Sequence, residues 1–176
     1  MESIDRIRAE LPEAAKDLKL NLQSVLAESS LDERRRWGVA AACAFYAGNA
    51  RLRDAVLADA RAHVDDAILE DARAAAALMG MNNVYYRARH WLGGGYESRP
   101  ARLRMHWVGK PLSGKPEFEL FSLAASAIGG CEVCVKSHEK TLREHGVSEE
   151  EIHDAVRIAA VIRGAAIAFD GLESSP

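Results

Sequence analysis

Two cysteines, in the segment Cys131-Glu-Val-Cys134, are the residues of this 176-residue chain whose type and spacing point most directly to chemistry. They follow Gly129-Gly130, and this position predicts that they lie at the start of a helix. A helix N-terminus stabilises the nucleophilic thiolate, because its N–H groups are unpaired and carry partial positive charge. Side chains three residues apart lie on neighbouring turns, so a small adjustment closes a disulfide. The pair is therefore predicted to form a reversible redox disulfide.

His138 and Glu119 are predicted to handle protons beside the thiols. Cys131, Cys134 and His138 fall within a strip of about 60° on one helix face. An imidazole titrates near neutral pH and can take a proton from a thiol and return it. Glu119 lies in a segment that is apolar nearly all round and is predicted to be buried, so it needs a partner. The alternative for Glu119 is a partly exposed position in the first turn of its helix.

The other cysteine and the other histidines are predicted to be structural. Cys43 lies in an apolar segment and has the size of a small buried residue. His145 precedes Gly146 and is predicted to be a charge at a helix C-terminus. Asn82-Asn83 could line a pocket, but a role in packing or at an interface is favoured. The remaining histidines have no thiol near them in sequence: His63, His90, His106 and His153.

Apolar residues recur with helical spacing almost throughout the chain, which predicts an all-α fold. Helices are expected over about 31–47, 50–62, 66–88, 116–128, 131–146 and 149–170. Ser30 with Glu33, and Ser148 with Glu151, match the capping-box pattern, and Asn49 is a candidate N-cap. In the helix that carries Glu119, polar residues follow an i, i+3, i+7 pattern and form one stripe: Glu119, Ser122 and Ser126.

An internal repeat emerges when the chain is shifted by 84 residues. The segment beginning at Trp37 then falls on the segment beginning at Phe121, and the alternative is chance matching of alanines. A bundle of two pseudo-repeated halves is predicted, forming one domain over 1–176 with a scaffold half at about 1–90 and a catalytic half at about 101–176. Opposite Glu119, Cys131, Cys134 and His138, the first half has Arg35, Ala47, Ala50 and Asp54. Only the second half is therefore predicted to carry thiol chemistry.

Composition, charge and the lack of long apolar runs argue against several classes of partner and location. A net charge of −3 gives no reason to expect nucleic acid or an anionic membrane as a partner. No apolar run reaches the roughly 18 residues of a membrane-spanning helix, and the mixed-charge N-terminus does not match a signal peptide. A cytoplasmic protein is expected, and in a reducing compartment a Cys-x-x-Cys pair is more often catalytic or metal-binding than structural.

The chain resembles the alkylhydroperoxidase D (AhpD) family along nearly its whole length. The resemblance includes the segments 11–21 and Met79-Gly-Met-Asn-Asn-Val-Tyr-Tyr-Arg87, and it continues from Phe118-Glu-Leu through Cys131-x-x-Cys134-x3-His138. The first two segments are expected to carry no chemistry. The resemblance implies an all-α bundle with internal repeats that assembles as a homo-oligomer, with a trimer favoured, in the bacterial cytoplasm.

The family resemblance also implies a reaction. Members reduce the oxidised peroxiredoxin AhpC with electrons from a dihydrolipoyl group on a lipoylated acyltransferase, have weak peroxidase activity, and hold no tightly bound cofactor. The family's proton relay maps onto Glu119, His138, Cys131 and Cys134. The helix dipole favours Cys131, nearest the helix N-terminus, as the attacking thiol. The resemblance instead favours the more interior cysteine, assigned as Cys134, as the one that forms the intermediate, which the outer Cys131 then resolves. Members carry a histidine before the second cysteine, where this chain has Val133.

Three other functions are possible, of which the first two would use the same residues. A metal-binding module could hold zinc through Cys131, Cys134, His138 and possibly Glu119, although structural zinc sites usually have four clear Cys or His ligands. A redox sensor without catalytic turnover is a second alternative. A decarboxylase or lactone-handling member of the wider superfamily is a third, and its site would not need the thiol pair.

Overall fold

The computed structural model describes residues 1–173, and within that range every regular element is helical. Three short 3₁₀ turns lie at Glu13–Ala15, Gly94–Tyr96 and His106–Gly109. Eight α-helices account for most of the chain: α1 (Glu2–Arg8), α2 (Lys16–Ala27), α3 (Glu33–Ala47), α4 (Ala50–Ala60), α5 (Asp66–Leu92), α6 (Lys115–Gly129), α7 (Glu132–Glu144) and α8 (Glu149–Glu173). The predicted all-α fold class is confirmed.

Helices α3 and α6 form the centre of the bundle. They pack against each other, α5 and α8 cover both of them, and α7 packs on α6. Every residue of α6 from Phe118 to Ser126 is buried, as its apolar sequence predicted. Glycine and alanine on α3 let α6 approach closely, and the ring of Phe121 lies over Gly38. The helix that carries Glu119 is therefore fixed on all sides by packing.

Two of the three predicted helix starts are confirmed. Asn49 caps α4 and accepts the N–H of Leu52 at 2.8 Å. Ser148 and Glu151 form the reciprocal capping box of α8, with hydrogen bonds of 2.9 and 3.1 Å. These side chains satisfy backbone donors that the first helical turn leaves unpaired.

The predicted Ser30–Glu33 capping box is wrong. Asp32 caps α3 and accepts the N–H of Arg35 at 2.8 Å. Ser30 instead donates its N–H and its hydroxyl to Asp154 on α8, at 2.6 and 2.8 Å. The buried carboxylate outcompetes the local pattern because it accepts both donors at once and is itself charged.

The ends of the helices relate the two halves by a different offset from the 84 residues that the sequence comparison used. Helix α3 ends at the left-handed Gly48 before the N-cap Asn49, and α6 ends at the left-handed Gly130 before the N-cap Cys131, an offset of 82 residues. The counterpart of Cys131 is thus Asn49 rather than Ala47. Ungapped comparison missed this offset because alanine-rich segments match in several registers. The division into a scaffold half and a catalytic half stays a prediction.

Two buried aspartates hold the halves together reciprocally. Asp71, the sixth residue of α5, accepts the N–H and hydroxyl of Ser113, just before α6, at 2.7 and 2.6 Å. Asp154, the sixth residue of α8, holds Ser30 just before α3. Burial acts to raise the pKa of Asp154, but hydrogen bonds from Ser30 and Arg157 outweigh it and lower the pKa to about 2. Each half therefore anchors the segment that leads into the other half's central helix.

Gly38 provides a test of the contact between α3 and α6. A Cβ added at Gly38 would lie 2.3 Å from Phe121 Cζ, whereas a Cβ at Gly80 on α5 would meet nothing within 4 Å. We expect Gly38→Ala to lower the free energy of unfolding by about 1–3 kcal/mol through overpacking. Gly80→Ala should raise it by up to about 1 kcal/mol, because alanine favours helix. Urea denaturation of both variants checks this, and equal effects would contradict the packing.

Candidate active site

The turn between α6 and α7 places the cysteine pair at a helix start, as predicted. Gly130 has φ of 64°, in the left-handed region that favours glycine. The N–H of Cys131 donates to the carbonyl of Ser126 at 3.2 Å, which closes the last turn of α6. Cys131 is also the N-cap of α7, and its carbonyl accepts the N–H of Val135 at 3.0 Å. One residue therefore ends the first helix and begins the second.

Cys131 and Cys134 are linked by a disulfide in the structure, the predicted pairing, and their Cα atoms are 5.3 Å apart. This separation lies within the usual range for disulfides. Cys43 is a free thiol buried in α3, as predicted, and burial raises its pKa. A neutral, enclosed thiol of this kind is a poor nucleophile.

The expectation that Cys134 is the interior cysteine and Cys131 the outer one is wrong for this disulfide form. Cys131 is 0% exposed, whereas Cys134 is 6% exposed and lines a cavity. The reason is position, since Cys131 sits at the junction of two packed helices and Cys134, one turn on, faces α5. Cys134 is thus the sulfur that a molecule in the cavity would meet.

His138, partly exposed, and Glu119, buried, form a pair across the α6–α7 contact. Nδ1 of His138 lies 2.6 Å from Oε2 of Glu119, which is 5% exposed, so the alternative of a partly exposed Glu119 is wrong. Nζ of Lys115 lies 2.6 Å from Oε1 of the same carboxylate. Burial acts to raise the pKa of Glu119, but hydrogen bonds and positive charge from His138 and Lys115 outweigh it and lower that pKa. The second ring nitrogen of His138 lies 3.3 Å from Sδ of Met79.

The polar stripe on α6 is buried as predicted, and part of it fastens α6 to α5. The Ser126 hydroxyl donates to Oδ1 of Asn83 at 2.9 Å, and Nδ2 of Asn83 donates to the Tyr46 hydroxyl at 3.1 Å. Arg87 donates to the carbonyl of Gly129. Helix α5 therefore holds the end of α6 that leads into Cys131.

A cavity of about 590 Å³ opens beside Cys134 and His138, and most of its opposite wall is α5. Asn82 lines it, which is the alternative considered for Asn82-Asn83, and His90 lines it as well, while its structural role stays a prediction. Among its other lining residues are Met79, Tyr86, Arg89, Glu97, Met105 and Val108. Residues 79, 82 and 86 follow the i, i+3, i+7 pattern of one helix face. This spacing could have predicted that the segment forms a cavity wall, although the segment was expected to carry no chemistry.

Three further expectations concern His63, the zinc alternative and membrane-spanning helices. His63 stacks on Trp37 with ring centroids 4.7 Å apart and contacts Glu33, which is a structural role as predicted. In residues 1–173, no group of three or more His, Cys, Asp or Glu side chains is arranged to hold a metal ion, so the zinc alternative gains no support from the geometry. The described helices include none that is both long and apolar enough to cross a membrane.

Comparison with known proteins identifies the family of the chain. Residues 97–173 match the profile described as the Carboxymuconolactone decarboxylase family. Three relatives, each named alkyl hydroperoxide reductase AhpD, match nearly the whole chain. The one from Anaeromyxobacter dehalogenans (strain 2CP-C) is 57% identical, covering 97% of this chain and 92% of the relative. Those from Rhodospirillum centenum and Brucella suis are 50% and 43% identical, covering 96% and 98% of this chain and 91% and 99% of the relatives.

The profile carries the name of a decarboxylase, but it reaches only the second half of the chain, whereas the named relatives extend across both halves. Identities of 43–57% over such coverage, together with a disulfide-linked Cys-x-x-Cys pair in an all-helical fold, settle the family. The chain belongs to the AhpD family of alkyl hydroperoxide reductases.

Proposed function

We propose that this chain is a thiol–disulfide oxidoreductase that reduces the oxidised peroxiredoxin AhpC with electrons from a dihydrolipoyl protein. The observation that carries the proposal is the Cys131–Cys134 disulfide at a helix start, with Cys134 on a cavity beside the His138–Glu119 pair. The name shared by the relatives supports an oxidoreductase that acts on peroxide. Lipoyl dependence and transfer to AhpC follow from the family resemblance.

The reaction would proceed by two thiol–disulfide exchanges. A dithiol donor reduces the Cys131–Cys134 disulfide, supplying two electrons and two protons and becoming a disulfide itself. The Cys134 thiolate then attacks the acceptor disulfide, forming a mixed disulfide and releasing one acceptor thiolate. Cys131 attacks the Cys134 sulfur, which restores the internal disulfide and releases the second thiolate. The acceptor leaves as a dithiol, so electrons and protons balance.

His138 is proposed as the group that moves the proton. Glu119 would accept a hydrogen bond from Nδ1–H and so leave the second nitrogen of the ring free for the thiol proton. In the disulfide form neither cysteine carries a proton, and that nitrogen rests beside Met79. After reduction, the imidazole would take the proton from Cys134 and return it to the leaving thiolate.

The setting of the reaction is also proposed from the family resemblance. We expect a homotrimer in the bacterial cytoplasm that needs no tightly bound cofactor. The catalytic role would fall to the second half of the chain, while α5 of the first half supplies the cavity wall.

The proposed function is tested by a coupled assay with peroxide, AhpC and three rival donors: a lipoyl-domain protein, thioredoxin and glutathione. We expect sustained turnover that is fastest with the lipoyl domain. Turnover with another donor alone would contradict lipoyl dependence. If Cys131 and Cys134 are oxidised and reduced but no donor supports sustained turnover, the chain is a redox sensor and the proposal of an enzyme is wrong.

The relay makes a prediction about Glu119→Gln and His138→Phe. Each substitution should slow alkylation of reduced Cys134 at pH 7 far more than it lowers the free energy of unfolding, because general-base assistance typically contributes 10²–10⁴-fold. Rates of iodoacetamide alkylation across pH, with the product assigned by peptide mass, check this. Asp54→Asn is the matched control, since Asp54 is exposed and pairs with Arg53. A pH profile unchanged in both variants would remove the relay.

The division of labour between the thiols makes a second prediction. Because Cys134 lines the cavity, Cys131→Ser should trap a mixed disulfide with AhpC, or a sulfenate after peroxide, whereas Cys134→Ser should trap neither. Non-reducing electrophoresis and intact mass detect both adducts. Accumulation of the adduct in Cys134→Ser instead would exchange the two roles and leave the site in place.

A further inference from the structure

Lys115 contacts Glu119 and has no role in the chemistry described above. It is the first residue of α6, one turn before Glu119, and its Nζ lies 2.6 Å from Glu119 Oε1. The same Nζ lies 3.5 Å from the carbonyl oxygen of Val108, a residue of the cavity wall. The Lys115 side chain is 38% exposed, so one face of the Glu119–Lys115 contact is open to solvent.

The two oxygens of Glu119 have different partners. Oε2 contacts Nδ1 of His138 and Oε1 contacts Lys115. An ionised carboxylate accepts from both, whereas a protonated one would have to donate at one of these positions. Donation to His138 would place the imidazole proton on the other ring nitrogen, which then could not accept a thiol proton. The charge on Glu119 therefore decides which nitrogen of His138 is free.

Few other charged groups act on this pair. Arg34 and Arg35 of α3 contact Glu117, and Arg35 also contacts Glu151 of α8. The titratable or charged groups that share the cavity with His138 are Cys134 of α7, Tyr86, Arg89 and His90 of α5, and Glu97 in the loop after α5. Apart from His138, Lys115 is the cation in direct contact with Glu119 among the described residues.

We propose that Lys115 is a positioning residue that keeps Glu119 ionised and thereby keeps one nitrogen of His138 free to take the Cys134 proton. The inference rests on the proposed role of His138 as the base. Lys115 acts through Glu119 and does not touch a reacting sulfur.

The expected effect has a definite sign. Removing the positive charge of Lys115 favours proton binding by Glu119, which it contacts, so the pH at which Glu119 becomes ionised and His138 can act as the base must rise. For a contact of this length we expect a rise of about one pH unit. The acid limb of Cys134 reactivity moves by the same amount.

The experiment follows iodoacetamide alkylation of Cys134 across pH in the full chain, reduced with a phosphine. All proteins carry Cys131→Ser, so that Cys134 is the accessible thiol beside the buried Cys43. Lys115→Met and Lys115→Gln remove the charge, and Lys115→Arg retains it. Lys140→Met is the matched control, because Lys140 is 79% exposed and pairs with Glu144 of the same helix. Urea denaturation is measured for each protein.

We expect the alkylation midpoint to rise by about one pH unit in both neutral variants and to stay in place in Lys115→Arg and Lys140→Met. A structural role alone would lower stability without moving the midpoint, and that result overturns the proposal. A shift of equal size in Lys140→Met also overturns it. The alkylation assay contains no peroxide, AhpC or lipoyl donor. Its result therefore does not depend on whether the coupled assay detects the proposed function.

Discussion

A carboxylate buried in an apolar helix must be neutralised, and this requirement at Glu119 constrains the rest of the site. Glu119 lies on α6, one of the two central helices of the bundle, and meets His138 on one oxygen and Lys115 on the other. For His138 to reach it, α7 must fold back along α6. The chain can reverse there because Gly130 takes a left-handed conformation. That same reversal sets Cys131 at the start of α7 and turns Cys134 toward the cavity.

The two halves use one backbone device for different purposes. In the first half a left-handed glycine is followed by Asn49, whose side chain caps α4. In the second half a left-handed glycine is followed by Cys131, whose side chain caps nothing. An N-cap side chain typically contributes about 0.5–2 kcal/mol, which α7 forgoes. Its first N–H groups remain available to stabilise a thiolate instead.

Sequence predicted helices α3 to α8, two of three caps, the Cys131–Cys134 pairing and the burial of Glu119, because periodicity, spacing and local capping are encoded by neighbours along the chain. It did not predict contacts between distant segments. Ser30 pairs with Asp154 across the bundle, and Asn82 and His90 face Cys134 only because α5 packs beside α7. The relative depth of Cys131 and Cys134 likewise depends on which helix covers each sulfur. Lys115 was within reach of sequence reasoning, since it precedes Glu119 by four residues.

If Glu119 and His138 act on Cys134 as one unit, a double-mutant cycle will show it. The rates of Cys134 alkylation at pH 7 are compared for the wild type, Glu119→Gln, His138→Phe and the double variant. Residues that act together give losses that do not add. We expect the double variant to be within about twofold of the slower single variant. A double variant slowed by the product of the two single effects would show that Glu119 and His138 act separately.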